Sequence, residues 1–293
     1  MRSLALILFL VSPMLAADSP VAPGAKPVKL ADGFKFTEGP AVDAEGNVYF
    51  TDQPNDRIHM WSTEGKLSTF LEPAGRSNGL CFDAEGHLWA CADEKNELWK
   101  IDVKTKKVTV LVKDYDEKPL NGPNDVWVRP DGGAYFTDPF YKRDYWKRGP
   151  EAQTKRGVYF LSPKGKLTRV DDDFGTPNGL VGTPDGKTLF VADIGKSKTY
   201  RYDIQDDGSL KNRKLFCEAG SDGMTLDEAG NVYLTGKGVL IFDKDGKKLG
   251  TIAIGEPWTA NVCFGGKGMK TLFVTAGKCL YSVEMTTKGA ARQ

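Results

Sequence analysis

A phrase that returns six times is the feature that most narrows what this chain can fold into. Each copy has an apolar lead, a turn rich in Asp and Gly, and an alternating strand that usually ends near Asp. The first copy reads Asp43-Ala44-Glu45-Gly46-Asn47-Val48-Tyr49-Phe50-Thr51-Asp52; the others occupy residues 83–89, 130–138, 184–193, 228–235 and, more loosely, 270–275. After the first copy, residues 57–62 alternate, residues 63–65 carry a turn signal and residues 66–71 alternate again, which makes four short strands per copy. Long helical periodicity is absent. Strands punctuated by Asp-Gly and Glu-Gly turns at a period of roughly 40 to 45 residues predict an all-β, six-bladed β-propeller of four-stranded antiparallel blades. Residues 28–293 would form it. A large antiparallel sandwich or barrel would leave the repeat without a cause.

The same register places chemistry. Eight residues before the turn glycines Gly46, Gly86, Gly132, Gly186 and Gly230 stand Glu38, Asn78, Asn124, Asn178 and Asp222. The sixth copy has a longer turn; counted from the strand, Asn261 lies ten before Thr271, as Asn178 lies ten before Thr188. Equivalent positions of successive blades are related by rotation about the central axis. If the first strand of each blade is innermost, these six side chains ring one mouth of the tunnel. Asn-Gly and Asp-Gly are also ordinary turn dipeptides, but a turn role does not explain Glu38 before Gly39-Pro40. Carboxylate and amide oxygens suit one hard divalent cation, Ca²⁺ ahead of Zn²⁺, Mg²⁺ or Mn²⁺, with Glu38 and Asp222 balancing its charge.

Lys and Arg number 40 against 39 Asp and Glu, a formal charge of +1. So weak a net field does not make nucleic acid or an anionic membrane the default partner; a monomer or dimer is expected. Only two histidines, His59 and His87, are present, which excludes an imidazole-rich metal cage; both read as packed or surface residues. The five cysteines include no CxxC pair and are expected as free, mostly buried thiols. Residues 1–17 have the basic start, apolar centre and small-residue exit of a signal peptide, with an uncleaved anchor as the rival, so export to the periplasm or beyond is expected. Residues 18–27 read as an extended leader. Asp52, Asp93, Asp138 and Asp193 recur at one strand end, which suggests bonds that hold blades together. Residues 139–157 lengthen the step between the third and fourth copies and carry Lys142, Arg143, Lys147, Arg148, Lys155 and Arg156 beside Tyr141, Tyr145 and Trp146. A solvated loop is the plain reading; a lid that draws an acidic substrate is the alternative.

The phrases Glu38-Gly39-Pro40, Leu120-Asn121-Gly122-Pro123-Asn124-Asp125-Val126, Thr137-Asp138-Pro139, Pro177-Asn178-Gly179-Leu180 and Ser221-Asp222-Gly223-Met224 stand in order, one or two to a blade. In these the chain resembles the SMP-30/gluconolactonase family, six-bladed propellers that include sugar lactonases and, more distantly, diisopropylfluorophosphatase. The resemblance implies a tunnel metal on Glu38, Asn124, Asn178 and Asp222 and a substrate contact at Asn121. It departs at Pro119, where many relatives have a sugar-binding Arg; Arg76 or Lys118 would have to substitute. Asn78 and Asn261 would touch substrate or only form turns. The implied reaction is hydrolysis of a sugar lactone, the metal polarising the carbonyl and Asp222 orienting or deprotonating water, or attacking directly. Phosphotriester hydrolysis on the same ring, or a non-catalytic propeller binding a protein or glycan, are the alternatives.

Overall fold

The computed structural model describes residues 19–147 and 149–290. The expected signal peptide, residues 1–17, lies outside them. Each repeated turn works as its residues demand. Asp43 and Asp227 accept backbone N–H bonds from two and four residues ahead, at 2.8–3.1 Å. Gly46, Gly86, Gly132, Gly186 and Gly230 all have φ between +70° and +90°, where only glycine is unstrained.

These turns join the first two strands of the blades. Blade one comprises Thr37–Val42, Val48–Asp52, Arg57–Trp61 and Leu67–Leu71; blade two Ser77–Phe82, Leu88–Ala92, Glu97–Ile101 and Val108–Val112. Blade three has Val126–Val128, Ala134–Asp138, Gly157–Leu161 and Leu167–Asp171; blade four Pro177–Gly182, Thr188–Asp193, Lys198–Ile204 and Leu210–Cys217. Blade five has Met224–Leu226, Val232–Gly236, Gly238–Phe242 and Lys248–Ile252. The predicted propeller of four-stranded antiparallel blades is what forms, and no α-helix occurs among the described residues.

Blade six is built differently. Its strands Thr259–Gly265, Thr271–Ala276 and Cys279–Glu284 come from the end of the chain, and the fourth, Val28–Ala31, comes from the start. Val28 pairs with Ser282 and Lys29 with Tyr281, so the ring is closed by a sheet that both ends share. The leader extends the seam, with Val21 bridging Met285.

First strands of neighbouring blades contact one another right round the ring, which makes them the innermost. Second strands are sandwiched between adjacent blades, and accordingly Val48–Asp52, Leu88–Ala92 and Ala134–Asp138 are buried along their whole length. Fourth strands form the rim and alternate or stand exposed, as in Leu67–Leu71. All five cysteines are free and buried. His59 packs against Phe34 and Phe50.

Loss of residues 1–31 should leave the outer edge of blade six unpaired. We expect the truncated protein to melt about 10 °C or more below the full chain and to aggregate; scanning calorimetry with light scattering measures both, and an unchanged melting temperature would show that the terminal strand does not hold the ring.

Candidate active site

The ring residues reach the axis because the innermost ladders break there. In blade one, Glu38 and Ala41 face Thr51 and Tyr49, so one extra residue sits on the inner strand; the same slip occurs between Ser77 and Leu80, Pro177 and Leu180, and Thr259 and Asn261. In blades three and five the inner strand begins only after the ring residue, at Val126 and Met224. A bulge takes a residue out of the ladder and re-aims its side chain. Threonines of the second strands secure the displaced backbone. The Thr51 hydroxyl donates to the Asn78 carbonyl at 3.0 Å, while those of Thr137, Thr235 and Thr275 accept the N–H groups of Asp125, Gly223 and Asn261 at 2.8–3.1 Å.

Glu38, Asn78, Asn124, Asn178 and Asn261 are buried and Asp222 is partly exposed. Asn178 Nδ2 donates to Asp222 Oδ1 at 2.9 Å and to the Tyr141 hydroxyl at 2.8 Å. Trp258 Nε1 donates to Asp222 Oδ2 at 2.5 Å. Burial pushes the Glu38 carboxyl well above the usual range and the nearby Asp222 charge adds to it, against one N–H bond from Gly39. Burial also raises Asp222, to about 6, with the bonds from Trp258 and Asn178 pulling the other way. Asp125 is a third carboxylate in this group, raised by burial to about 8. The Asn261 amide offsets part of the upward shift at both Glu38 and Asp125. Asp125 and Asn261 also line a cavity of about 120 Å³ together with apolar residues of the inner strands and Gly289 and Ala290.

Asn178 Oδ1 is buried without a hydrogen-bond partner, a state that costs about 1–3 kcal/mol when nothing answers it. The Asn124 amide likewise takes no side-chain hydrogen bond among the described residues. Two facing carboxylates beside an unanswered amide oxygen form a donor set that a hard dication would satisfy. Glu38, Asn124, Asn178 and Asp222 could hold one.

The other expected contacts are engaged elsewhere. Asn121 is anchored to the end of the 139–157 segment: its Oδ1 accepts from Gln153 N at 3.0 Å and its Nδ2 lies 3.3 Å from Glu151 Oε1. Arg76 pairs with Glu94 and lies 4.5 Å under the ring of Tyr145. Pro119 and Lys118 form an exposed two-stranded hairpin with Asp114–Tyr115. The long segment is no free loop, since Tyr141 reaches Asn178 and Trp146 Nε1 donates to the Asp93 carbonyl at 2.8 Å. Arg148 lies outside the described residues. Asp52, Asp138 and Asp193 do hold backbone N–H groups of the loops leading into their blades, as expected. Asp93 instead receives the lid. Sequence reasoning missed Trp258 and Asp125. A signal for Asp125 existed: glycine follows the ring residue in blades one, two, four and five, and Asp125 breaks that pattern in blade three.

A sequence profile of the SMP-30/Gluconolactonase/LRE-like region matches residues 36–278. The chain belongs to that family. A gluconolactonase of Zymomonas mobilis subsp. mobilis is 31% identical to this SMP-30-family chain over 291 residues, covering 89% of this chain and 81% of the relative. A solved gluconolactonase from Xanthomonas campestris superposes with a TM-score of 0.83 at 29% identity over 91% of each chain. Regucalcin from Agrobacterium tumefaciens, described as a calcium-binding protein, shares the fold at a TM-score of 0.75 and 21% identity, over 92% of this chain and 96% of that one.

Gly223 makes room for the ring. A Cβ there would lie 1.8 Å from Asn261 Cγ, whereas one on Gly250 meets nothing within 4 Å. Gly223→Ala should therefore cost about 1–3 kcal/mol by overpacking, and Gly250→Ala almost nothing; urea unfolding compares them, and equal midpoints would contradict the packing described.

The raised carboxyls have a sign that can be checked. Because Asp125 and Asp222 bind protons more tightly folded than unfolded, their contribution to stability is fully present below about pH 4 and is lost as pH rises through about 6 to 8. In chelator, the melting temperature of Asp125→Asn should gain on that of the wild-type protein between pH 5 and pH 8. A constant difference across that range would show Asp125 to be ionised throughout.

Proposed function

We propose that the protein hydrolyses a lactone, an intramolecular ester, at the axial mouth where Glu38, Asn124, Asn178 and Asp222 meet. It is a carboxylic-ester hydrolase of the kind its gluconolactonase relatives represent, and the substrate we infer is a sugar lactone. The observation that carries the reading is buried Glu38 facing Asp222 beside the unpartnered Asn178 oxygen. These residues, with Asn124, would hold one divalent cation, for which Ca²⁺ is our choice because all four donors are oxygens. When bound, such an ion supplies Lewis-acid polarisation of an ester carbonyl.

The chain's own groups do the rest. Trp258 and Asn178 each donate to one oxygen of Asp222, so the carboxylate is held in one orientation. Held in this orientation and partly exposed, Asp222 would orient the attacking water or take its proton. The water oxygen bonds to the carbonyl carbon, the ring C–O bond breaks, and the departing alkoxide takes up a proton, giving the open hydroxy acid. Tyr141 accepts a hydrogen bond from Asn178 on this side of the mouth. A scaffold role is disfavoured because the exposed large apolar side chains among the described residues are the scattered aliphatics Val28, Leu67, Val110, Leu215 and Leu249, not an aromatic patch.

A panel of lactones, assayed with and without chelator, tests this. Wild type should open at least one sugar lactone and lose that activity on chelation, with recovery on adding Ca²⁺. Asp222→Ala should fall by a factor of about 10³ or more, the scale of losing an electrostatic or general-base group. Activity that survives both chelation and Asp222→Ala would sink the proposal.

A further inference from the structure

Among the four strand-end aspartates, Asp93 is the exception. Asp52, Asp138 and Asp193 each bind backbone N–H groups near their own blade's first strand. The Oδ2 of buried Asp93 instead accepts three side-chain donors: Gln53 Nε2 at 3.2 Å, Arg143 Nε at 3.1 Å and the Tyr145 hydroxyl at 2.5 Å. Trp146 caps its carbonyl, and Arg76 stacks beneath Tyr145. One carboxylate thus pins residues 143–146 across blades one to three.

The pinning also orients a guanidinium. Arg143 is bound through Nε, and its two Nη atoms have no partner among the described residues. Its Cζ is 5.4 Å from the ring of Tyr141, whose hydroxyl is on Asn178. A guanidinium clamped at Nε presents a flat edge of N–H donors in fixed geometry, suited to paired oxygen acceptors on a ligand.

We propose that Arg143, clamped by Asp93, is the specificity residue that grips the hydroxyl oxygens of a sugar lactone bound at the axial mouth. The assignment rests on the lactonase reading and deepens it. Arg143 stands beside the ring by way of the lid, so its contribution is to substrate selection and not to the ring-opening step.

The test compares a polyhydroxylated six-membered lactone with an unsubstituted one on wild type, Arg143→Met, Arg143→Lys and Asp93→Asn, with thermal melts to confirm folding. In Arg143→Met the ratio of kcat/KM for the hydroxylated over the plain lactone should fall about tenfold or more, the loss of one or two charge-assisted hydrogen bonds. The fall should appear mainly in KM, be smaller in Arg143→Lys, and run the same way in Asp93→Asn. Calorimetry with the polyhydroxy acid, the reaction product, should show a matching loss of affinity in Arg143→Met. If Arg143 only braced the lid, both substrates would lose equally and the ratio would stay constant, which would overturn the assignment. Should wild type open no lactone while Arg143 still governs binding of the polyhydroxy acid, the lactonase reading falls and the Arg143 assignment stands; absence of both removes the two together.

Discussion

Buried Glu38 faces the partly exposed Asp222, whose charge raises the cost of ionising Glu38, and the chemistry of the site follows from that confrontation. In a medium of low dielectric their repulsion is large, and neutral donors such as Trp258, Asn178 and Gly39 reduce it only in part. The scaffold prevents them from separating. A dication held there would resolve the conflict, satisfy the orphan oxygen of Asn178 and supply the electrophilic field that an ester carbonyl needs. The strain of the site and its proposed catalytic power are thus one arrangement seen from two sides.

That arrangement persists because rigidity comes from the outside inward. The shared sixth blade closes the ring, sandwiched second strands fill the space between blades, and their threonines grip the bulged backbone of the first strands. Glycine beside the ring residue lets neighbouring inner strands approach to contact, most tightly at Gly223 against Asn261. On this frame the 139–157 segment is held by side chains rather than by a sheet: Asp93 takes Arg143 and Tyr145, while Asn121 takes the Gln153 N–H and Glu151.

The blades were legible in the sequence because Asp and Gly at fixed turn positions report local backbone conformation, and local conformation does not depend on distant contacts. The ring could be read from register for the same reason: a constant offset from Gly46, Gly86, Gly132, Gly186 and Gly230 maps onto equivalent places of a rotationally repeated fold. Asp125 was hidden beside Asn124, since a single chain shows a pattern break but not the direction a side chain takes after a bulge. Trp258 belongs to no repeat, and its place on Asp222 exists only once blades five and six adjoin. Asn121 belonged to a recognised phrase, yet its amide is held by Glu151 and Gln153, about thirty residues further along, through contacts no local pattern encodes.

The sequence by itself determined six blades and the offset of one oxygen-bearing residue in each, both set by short-range turn chemistry and by residue type. The tertiary structure alone decided that the first strand completes the last blade, that Glu38 and Asp222 are forced together, and that Asp93 turns from blade tie to lid clamp. Those outcomes depend on which segments become neighbours when the ring closes. Side-chain burial, repulsion and hydrogen bonding are properties of that neighbourhood, not of the chain taken residue by residue.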